Sequence, residues 1–336
     1  MLTHDDVVLA YRLMLGRDPE NSDVVNNLCQ TVHTVAKLRE VFIGSAEFQQ
    51  RMGELLGSQQ FVRQRHPFTM PSIPVEVDVS DEALSQMFER IHQEWEYLGE
   101  TDPYWSVVTQ PQYHMDQFES HKEQFFKSGK YSADLFFAAL RRNHVNPNLI
   151  GLCLEVGCGV GRVTNYLAQT VDTVLATDIS MHHLEIARAH LANEGRSNVA
   201  LKHLADIRTL NELPQVDAVF SVITLQHNPP PVMAWMLRTL LRCLKPAGVA
   251  YLQIPTYRNG YLFEVDRYLN TPAPKTLEMH FLPQHEIFKI VDEAGCRCLE
   301  IREDSMVGEE SKMLSNTFVF QKNAVSTDRP MKALDV

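Results

Sequence analysis

The stretch with the clearest capacity for chemistry combines one carboxylate with three closely spaced glycines. An apolar run over residues 149–154 leads to Glu155, and Gly157, Gly159 and Gly161 follow before a helical pattern begins. A buried strand of a parallel sheet has this composition, and a glycine-rich turn commonly connects it to a helix. Glycine permits unusual backbone dihedrals and lets a ligand approach the backbone closely. The stretch therefore predicts a strand, a ligand-binding loop and a helix.

The spacing within this loop separates two classes of nucleotide-binding protein. The nicotinamide fingerprint requires glycine or alanine three places after its second glycine, but Arg162 stands three places after Gly159. A nicotinamide-dependent dehydrogenase is therefore disfavoured. Cys158 lies inside the loop, and we interpret it as a small packing residue, not as a nucleophile.

Two further carboxylates follow predicted strands. The strand over 173–177 leads to Asp178, and the strand over 199–204 is followed by Asp206. Because the carboxyl ends of parallel strands meet at one edge of the sheet, we expect both side chains near the glycine loop. Each aspartate could instead serve only as the N-cap of the next helix. The whole set together favours ligand binding.

His227 is the best candidate for a catalytic base. It follows the predicted fourth strand, over 217–223, and precedes Pro229. Its ordinary pKa of about 6.5 suits proton transfer near neutrality. The alternative is that His227 only hydrogen-bonds the turn before the proline, and the sequence leaves both open.

The spacing of apolar residues predicts how these side chains are positioned. From residue 149 to 323, strand patterns alternate with helical patterns, which indicates an α/β fold with a mostly parallel, doubly wound sheet. After residue 255 an insert of about 25 residues precedes a helix, and two late strands follow without a helix between them. We expect seven strands, the last antiparallel. The later predicted strands cover 249–254, 296–301 and 316–321.

The chain before this core predicts a small all-α domain over residues 1–60, a proline-containing linker over 61–79 and a helical lid segment over 80–148. Helices are expected over about 114–127 and 132–143, with a loop at 128–131 between them. Tyr104, Trp105 and Tyr131 are candidate lid or substrate residues, although they could merely pack the helices on the core. Residues 324–336 are predicted to be a tail.

Composition excludes several classes of function. The 336 residues are 44% hydrophobic and 22% charged, and the formal net charge is −11. Nucleic-acid binding is therefore not expected. No stretch approaches the roughly 20 apolar residues of a membrane span, and the first residues lack a basic leader. The six cysteines have neither disulfide nor zinc spacing, and no magnesium ligand set stands out. We expect a cytoplasmic protein without a metal site.

Residues 130 to 322 resemble the class I S-adenosylmethionine-dependent methyltransferases. Leu154 to Gly161 looks like the first motif of that family, and Asp178 ends the second strand, 17 residues beyond Gly161. The terminal hairpin also fits, since that family adds an antiparallel last strand. The other matching segments follow in the same order: Ala205-Asp206-Ile207 after the third strand, Asp217-Ala218-Val219-Phe220 opening the fourth, and Leu244-Lys245-Pro246-Ala247-Gly248 before the fifth.

The resemblance implies S-adenosylmethionine as the cofactor and assigns a role to each motif. Glu155 would face the cationic methionine end, and Asp178 would accept hydrogen bonds from both ribose hydroxyls. Asp206 would accept from the adenine amino group, with Ile179 on the ring face. The implied cofactor-binding set is Glu155, Gly157, Cys158, Gly159, Gly161, Asp178, Ile179, Asp206, Ile207 and Ser221.

The acceptor is less constrained than the cofactor. Methyl transfer needs alignment and water exclusion, and a hydroxyl acceptor also benefits from a base such as His227. Tyr257 and His280 lie in the insert after the fifth strand and could line the acceptor pocket. We expect O-methylation of a sugar, a glycan or another small molecule. The alternatives are N- or C-methylation of a secondary metabolite, or a binding protein that retains the fold without catalysis.

The first 60 residues carry a second resemblance. Residues 11–19, Tyr-Arg-Leu-Met-Leu-Gly-Arg-Asp-Pro, and residues 42–48, Phe-Ile-Gly-Ser-Ala-Glu-Phe, are similar to a helical bacterial domain related to phycobilisome linkers. That domain is often attached to glycosyltransferases and other surface-polysaccharide enzymes. The resemblance implies binding of a protein partner and is the reason for expecting a glycan acceptor. The alternative is a plain three-helix cap.

Overall fold

Two units make up the chain in the computed structural model, Met1–Phe68 and Thr69–Val336. The structure describes residues 2–55, 72–272, 277–304, 306–307 and 313–324. The predicted linker over 61–79 lies mostly outside these residues, as does nearly all of the predicted tail.

The first unit is helical over its described part. Thr3 caps the first helix through its side chain, and Asn21 and Thr34 cap the next two in the same way. Each cap satisfies a backbone N–H that the first helical turn leaves unpaired. Val7 and Phe42 are buried between the helices. The helices are α1 (His4–Ala10), a π-helical continuation (Tyr11–Leu15), α2 (Ser22–Thr31), α3 (Val35–Ile43) and α4 (Ala46–Leu55).

Three helices precede the sheet of the second unit: α5 (Asp81–Thr101), α6 (Pro103–Val107) and α7 (Lys122–Arg142). The Ser80 hydroxyl accepts a hydrogen bond from the Ala83 amide at 3.2 Å and so caps α5. The apolar residues of α5 recur at helical spacing and are buried against the core.

The predicted loop at 128–131 is wrong, because α7 is continuous through it. Gly129 is the reason for the misleading pattern. A Cβ at this position would lie 2.0 Å from the backbone carbonyl oxygen of Arg162. Glycine thus permits close contact between α7 and the glycine loop, and here it does not indicate a break in the helix. Tyr131 consequently lies on a helix and is 68% exposed.

Seven strands form one sheet in the order β3-β2-β1-β4-β5-β7-β6. β1 pairs in parallel with both β2 and β4, and the reversal of strand order falls between β1 and β4. The strands are β1 (Leu152–Val156), β2 (Thr173–Asp178), β3 (Val199–His203), β4 (Val216–Ser221), β5 (Leu244–Arg258), β6 (Cys296–Asp304) and β7 (Met313–Lys322).

The antiparallel end of the sheet confirms the predicted fold class. β7 lies between β5 and β6 and is antiparallel to both. β5 is longer than predicted and pairs with β7 as far as Arg258. Tyr257 is therefore a strand residue, which corrects its predicted place in the insert.

Helices cover both faces of the sheet. The helices after β1 are α8 (Thr164–Leu167), α9 (Met181–Asn193), α10 (Pro230–Arg242), α11 (Val265–Asn270) and α12 (Gln284–Glu293). On one face α5, α10 and α12 share a core with residues such as Leu154 and Phe318, and on the other face α7 and α8 share a second core with residues such as Phe220. A fully buried leucine or phenylalanine contributes about 2 kcal/mol to folding. No helix among the described residues is long and apolar enough to cross a membrane.

Candidate active site

The glycine loop after β1 has a backbone that other residues would strain. Gly157, Gly159 and Gly161 have φ angles of 77°, 52° and 80°. A Cβ on Gly157 would lie 2.2 Å from the Thr224 hydroxyl, and one on Gly159 would lie 2.7 Å from a methyl group of Val107. Both the left-handed conformation and the close neighbours therefore require glycine.

Asp178 fixes this loop from the end of β2. Its Oδ2 accepts a hydrogen bond from the Gly159 amide at 2.7 Å, and its Oδ1 accepts one from the Ser180 amide at 2.9 Å. The side chain is only 6% exposed. Each carboxylate oxygen has a further lone pair, so Asp178 can anchor the loop and still accept from a ligand.

Glu155 and Arg162 are two ionisable residues that flank the glycine loop and influence each other electrostatically. Glu155 is 2% exposed, and burial raises the pKa of its carboxyl to about 7. Its Oε2 and the Nε of Arg162 are both buried without a hydrogen-bond partner among the described residues. Burial also lowers the pKa of Arg162. Unsatisfied buried polar atoms are rare and mark a place where a polar ligand can bind.

These groups line one cavity at the carboxyl ends of β1, β2 and β4, the crevice where an open α/β sheet binds its ligand. α5 contributes an apolar wall, and the segment after β4 contributes a polar one. The lining includes Phe88, Ile91, Trp95, Ser106, Val107, Glu155, Gly157, Cys158, Gly159, Arg162, Asp178, Ile179, His183, Leu204, Thr224, His227, Asn228 and Met236.

His227 lies on the wall of the same cavity, in a 3₁₀ turn over Leu225–His227. Its Nδ1 is 2.9 Å from the backbone carbonyl of Glu278, and a carbonyl only accepts, so Nδ1 carries the proton. Burial lowers the pKa of His227 to about 4. The ring is therefore neutral at pH 7, and its Nε2 is unprotonated. Nε2 can therefore accept a proton, but the lowered pKa makes it a weaker base than an ordinary histidine, and the side-chain nitrogen of Gln226 lies 3.4 Å from it.

Several predicted cofactor residues lie outside the lining of this cavity. Asp206 is exposed and caps the 3₁₀ helix Ile207–Glu212, accepting from the amides of Arg208 and Thr209 at 2.7 and 3.1 Å. With Ile207 it borders a neighbouring depression that shares Phe88 with the cavity. Gly161 packs against Ala187 of α9.

Ser221 and Cys158 have structural contacts. The Ser221 hydroxyl donates to the Val156 carbonyl at 3.0 Å and is fully buried. Cys158 reaches the cavity wall, but burial raises the pKa of its thiol well above the ordinary value. A neutral thiol is a poor nucleophile, which agrees with a packing role.

The aromatic lid candidates lie away from the cavity lining. The Tyr104 ring stacks on Phe118 with centroids 3.4 Å apart, and the Trp105 ring stacks on His114 at 4.9 Å. His280 is buried and contacts the Tyr261 hydroxyl at 2.8 Å and the Glu278 carboxylate at 2.9 Å. These contacts join helices or the insert to the core, and Tyr131 and Tyr257 do not border the cavity either.

Trp95, Arg162 and His183 border the cavity but are not in the predicted set. Trp95 belongs to the apolar pattern of α5, where it cannot be distinguished from a core residue. His183 can donate from Nε2 to the Pro103 carbonyl at 3.2 Å, and its buried Nδ1 has no partner among the described residues. Arg162 carries the one signal that could have been used, a cation directly after the glycine loop.

Comparison with known proteins agrees with this architecture. Residues 153–248 match a family model described as a methyltransferase domain. Over 193 residues the chain is 26% identical to a ubiquinone biosynthesis O-methyltransferase of Aliivibrio fischeri, covering 55% of this chain and 80% of that protein. The corresponding protein of Haemophilus ducreyi is 26% identical over 205 residues, covering 57% and 86%.

A solved structure shares the fold. Magnesium protoporphyrin IX methyltransferase from Synechocystis PCC 6803, with bound SAH, superposes with a TM-score of 0.50 at 18% identity and covers 70% of this chain and 100% of that one. The matched segment contains the glycine loop and ends before the long part of β5. The part of the chain that matches the methyltransferase-domain model therefore lies within a sheet and helices that share the fold of this solved structure.

Proposed function

We propose that this protein is an S-adenosylmethionine-dependent methyltransferase that O-methylates a small molecule with a hydroxyl on an apolar or aromatic framework. The observation that carries the proposal is the placement of His227. A neutral imidazole with an unprotonated Nε2 borders the cavity that is also lined by the glycine loop, Asp178, Glu155 and Arg162.

The buried groups of the cavity fit the cofactor's amino-acid end. An amino group would bind Glu155 and a carboxylate would bind Arg162, so each would satisfy an atom that has no partner among the described residues. Asp178 would accept from the ribose hydroxyls. The adenine would lie along Ile179 and Phe88, toward the depression bordered by Asp206.

The apolar wall of the cavity supports the acceptor class. Ile91 and Trp95 of α5 and Met236 of α10 border it, and the Trp95 ring lies 5.2 Å from the His227 ring. A flat apolar acceptor would pack there with its hydroxyl toward Nε2 of His227. The O-methyltransferases among the relatives are in line with this choice.

The reaction would place most of its demands on alignment. When bound, S-adenosylmethionine supplies an activated methyl group on a sulfonium. His227 would take the proton of the acceptor hydroxyl at Nε2 while the Glu278 carbonyl holds the ring through Nδ1. Trp95 and Met236 would exclude water from the reacting atoms.

Calorimetry tests the cofactor. S-adenosylmethionine should bind with one equivalent per chain, and Asp178→Ala should weaken binding at least about 30-fold because charge-assisted hydrogen bonds are lost. Circular dichroism verifies that the variant is folded. Tight binding of NADH, or the absence of S-adenosylmethionine binding, contradicts the proposal.

Methyl transfer from labelled cofactor tests the acceptor class. Catechols and other phenols should accept the label, whereas nucleotide sugars should not. His227→Ala should lower kcat by about 10²–10⁴-fold with little change in cofactor affinity. His285→Ala is the matched control, because that histidine is exposed on α12. Full turnover of His227→Ala contradicts the base assignment, and cofactor binding without transfer to any acceptor favours a non-catalytic binding protein.

A sugar or glycan acceptor is the second candidate. It is favoured by the resemblance of residues 11–19 and 42–48 to a domain found on polysaccharide enzymes. The same resemblance supports binding of a protein partner through the first unit. Label on nucleotide sugars or lipid-linked glycans, with none on phenols, decides for this candidate.

A further inference from the structure

A cluster of two histidines and one glutamate lies beside the proposed cofactor cavity. His92 and Glu96 stand one turn apart on α5, and His203 is the last residue of β3. The Glu96 Oε1 is 3.7 Å from the Nε2 of His92 and 4.0 Å from the Nε2 of His203. One ligand atom from each of the three side chains lies within 4.8 Å of the others.

The cluster has an unsatisfied atom at its centre. The Nε2 of His92 is buried and has no hydrogen-bond partner among the described residues. The side chains of His92, Glu96 and His203 are 20%, 27% and 21% exposed, so water reaches the group only in part. A buried imidazole nitrogen that faces a carboxylate and a second imidazole is suited to a cation.

Surrounding residues hold Glu96 in a fixed orientation. Its carboxylate accepts hydrogen bonds from the Met181 amide at 3.0 Å, the Ser180 hydroxyl at 3.1 Å and His182 Nδ1 at 2.9 Å. These bonds hold the carboxylate in one orientation beside His92 and His203. Metal-binding carboxylates are commonly held by such outer hydrogen bonds.

We propose that His92, Glu96 and His203 bind one divalent transition-metal ion of the zinc class. Two imidazoles and one carboxylate are a donor set that zinc, cobalt and iron accept, whereas magnesium and calcium prefer oxygen ligands. Ligands of a tetrahedral zinc ion lie about 3.3 Å apart, so the separations of 3.7 and 4.0 Å from Glu96 must shorten by about 0.4 and 0.7 Å. The two imidazole nitrogens, which lie within 4.8 Å of each other, must approach by at most about 1.5 Å.

Binding changes one existing contact. The Nε2 of His203 lies 2.9 Å from the carbonyl oxygen of Ile179, which fixes its proton there in the absence of metal. Coordination through Nε2 requires this proton to lie on Nδ1 instead, and it exchanges the hydrogen bond to Ile179 for a metal bond.

The ion would connect α5 to β3 of the sheet. Ile91 and Trp95 of α5, each adjacent in sequence to a ligand, border the cavity, and so does Ile179. A metal bound to both α5 and β3 would therefore hold the cavity's apolar wall in place. This role does not depend on methyl transfer.

Cobalt titration tests the proposal on the full chain without a histidine tag. Visible d–d absorption should saturate at one equivalent, and zinc should displace it. The double variant His92→Ala/His203→Ala should bind at least about 100-fold more weakly. The control variants His285→Ala and His144→Ala each lose one exposed histidine elsewhere, and both should bind cobalt with wild-type affinity and stoichiometry.

Thermal unfolding supplies a second readout that does not require turnover. Zinc should raise the Tm of the wild type and of His285→Ala but not that of His92→Gln, a milder change that keeps the helix intact. Absence of stoichiometric cobalt and zinc binding at a Kd below about 10 µM contradicts the proposal. Wild-type affinity in the double variant also contradicts it.

Discussion

Glu155 is the residue whose protonation should respond most directly to the proposed cofactor. Burial raises its pKa to about 7, so close to half of the chains carry a neutral carboxyl at pH 7. A bound ammonium group favours the ionised form and lowers that pKa.

Cofactor binding should therefore release about half a proton at pH 7 and almost none at pH 9. Calorimetry in phosphate and in Tris measures this release, since the two buffers differ in ionisation enthalpy. Glu155→Gln should remove the buffer dependence. An observed heat that is independent of the buffer for the wild type shows that Glu155 does not face the ligand's cation.

His227 should affect stability as well as activity. Its pKa is lowered from about 6.5 in the unfolded chain to about 4 in the folded one, so the unfolded chain takes up the proton first as the pH falls. Stability from this group is complete above pH 6.5 and is lost toward pH 4.

Relative to His227→Asn, the wild type should lose about 2 kcal/mol of unfolding free energy between pH 7.5 and pH 5. Urea unfolding of both proteins at the two pH values measures the difference, in which all other titrating groups cancel. An unchanged difference means that the imidazole is hydrated in the folded state.

Among the helices, α7 carries a test of how the glycine loop is supported. An exposed glycine in a helix usually gains about 1 kcal/mol of stability when changed to alanine. Gly129 should behave in the opposite way, because its Cβ would meet the Arg162 backbone carbonyl at 2.0 Å.

Gly129→Ala should destabilise the protein by about 2–4 kcal/mol and weaken cofactor binding, because the loop must shift. Gln124→Ala, on the exposed side of the same helix, should change stability by less than about 0.5 kcal/mol. Chemical unfolding and calorimetry check both variants. A stabilising Gly129→Ala would show that α7 can move away from the loop without cost.

The insert between β5 and α12 is held by an ion pair that also positions His227. Arg90 of α5 donates to the carbonyls of Tyr268 and Thr271 at 2.8 and 2.7 Å and pairs with the Glu278 carboxylate. Glu278 in turn offers its backbone carbonyl to His227. Arg90 and Glu278 thus connect α5, the insert and His227.

Arg90→Met should cost about 2–3 kcal/mol of stability, since the partly buried Glu278 would lose its arginine partner and keep only the contact with His280. It should lower kcat more than cofactor affinity. Lys127→Ala removes an exposed ion pair on α7 and should cost less than about 1 kcal/mol. Chemical unfolding and steady-state kinetics check both variants. If kcat falls equally in Arg90→Met and Lys127→Ala, Arg90 has no positioning role.

At the scale of the whole molecule, the division into Met1–Phe68 and Thr69–Val336 has a direct consequence. The cavity residues and both large cores belong to the second unit. A chain of residues 69–336 should therefore fold and bind the cofactor with full-length affinity. Thermal unfolding and calorimetry of the truncated chain test this, and a chain that aggregates or does not bind contradicts it.

Much of the fold follows from local patterns. The apolar run before Glu155 and the glycines after it predict β1 and its loop. Burial of a strand and left-handed backbone dihedrals each determine the residue types of a few neighbouring positions. The alternation of strands and helices indicates a mostly parallel, doubly wound sheet. The strand order is a finding of the tertiary structure, because several orders satisfy that alternation. The antiparallel end follows from the missing helix between the last two strands.

The sequence by itself determined the sheet, the glycine loop, and the presence of Glu155, Asp178 and His227 near one edge. Only the tertiary structure decided which side chains meet. It made α7 continuous through Gly129, placed Arg162 against the cavity, left Tyr131 exposed and brought His203 to within 4.0 Å of Glu96. The reason is physical: periodicity reports the burial of each residue, whereas a site depends on contacts between residues that lie far apart in the chain.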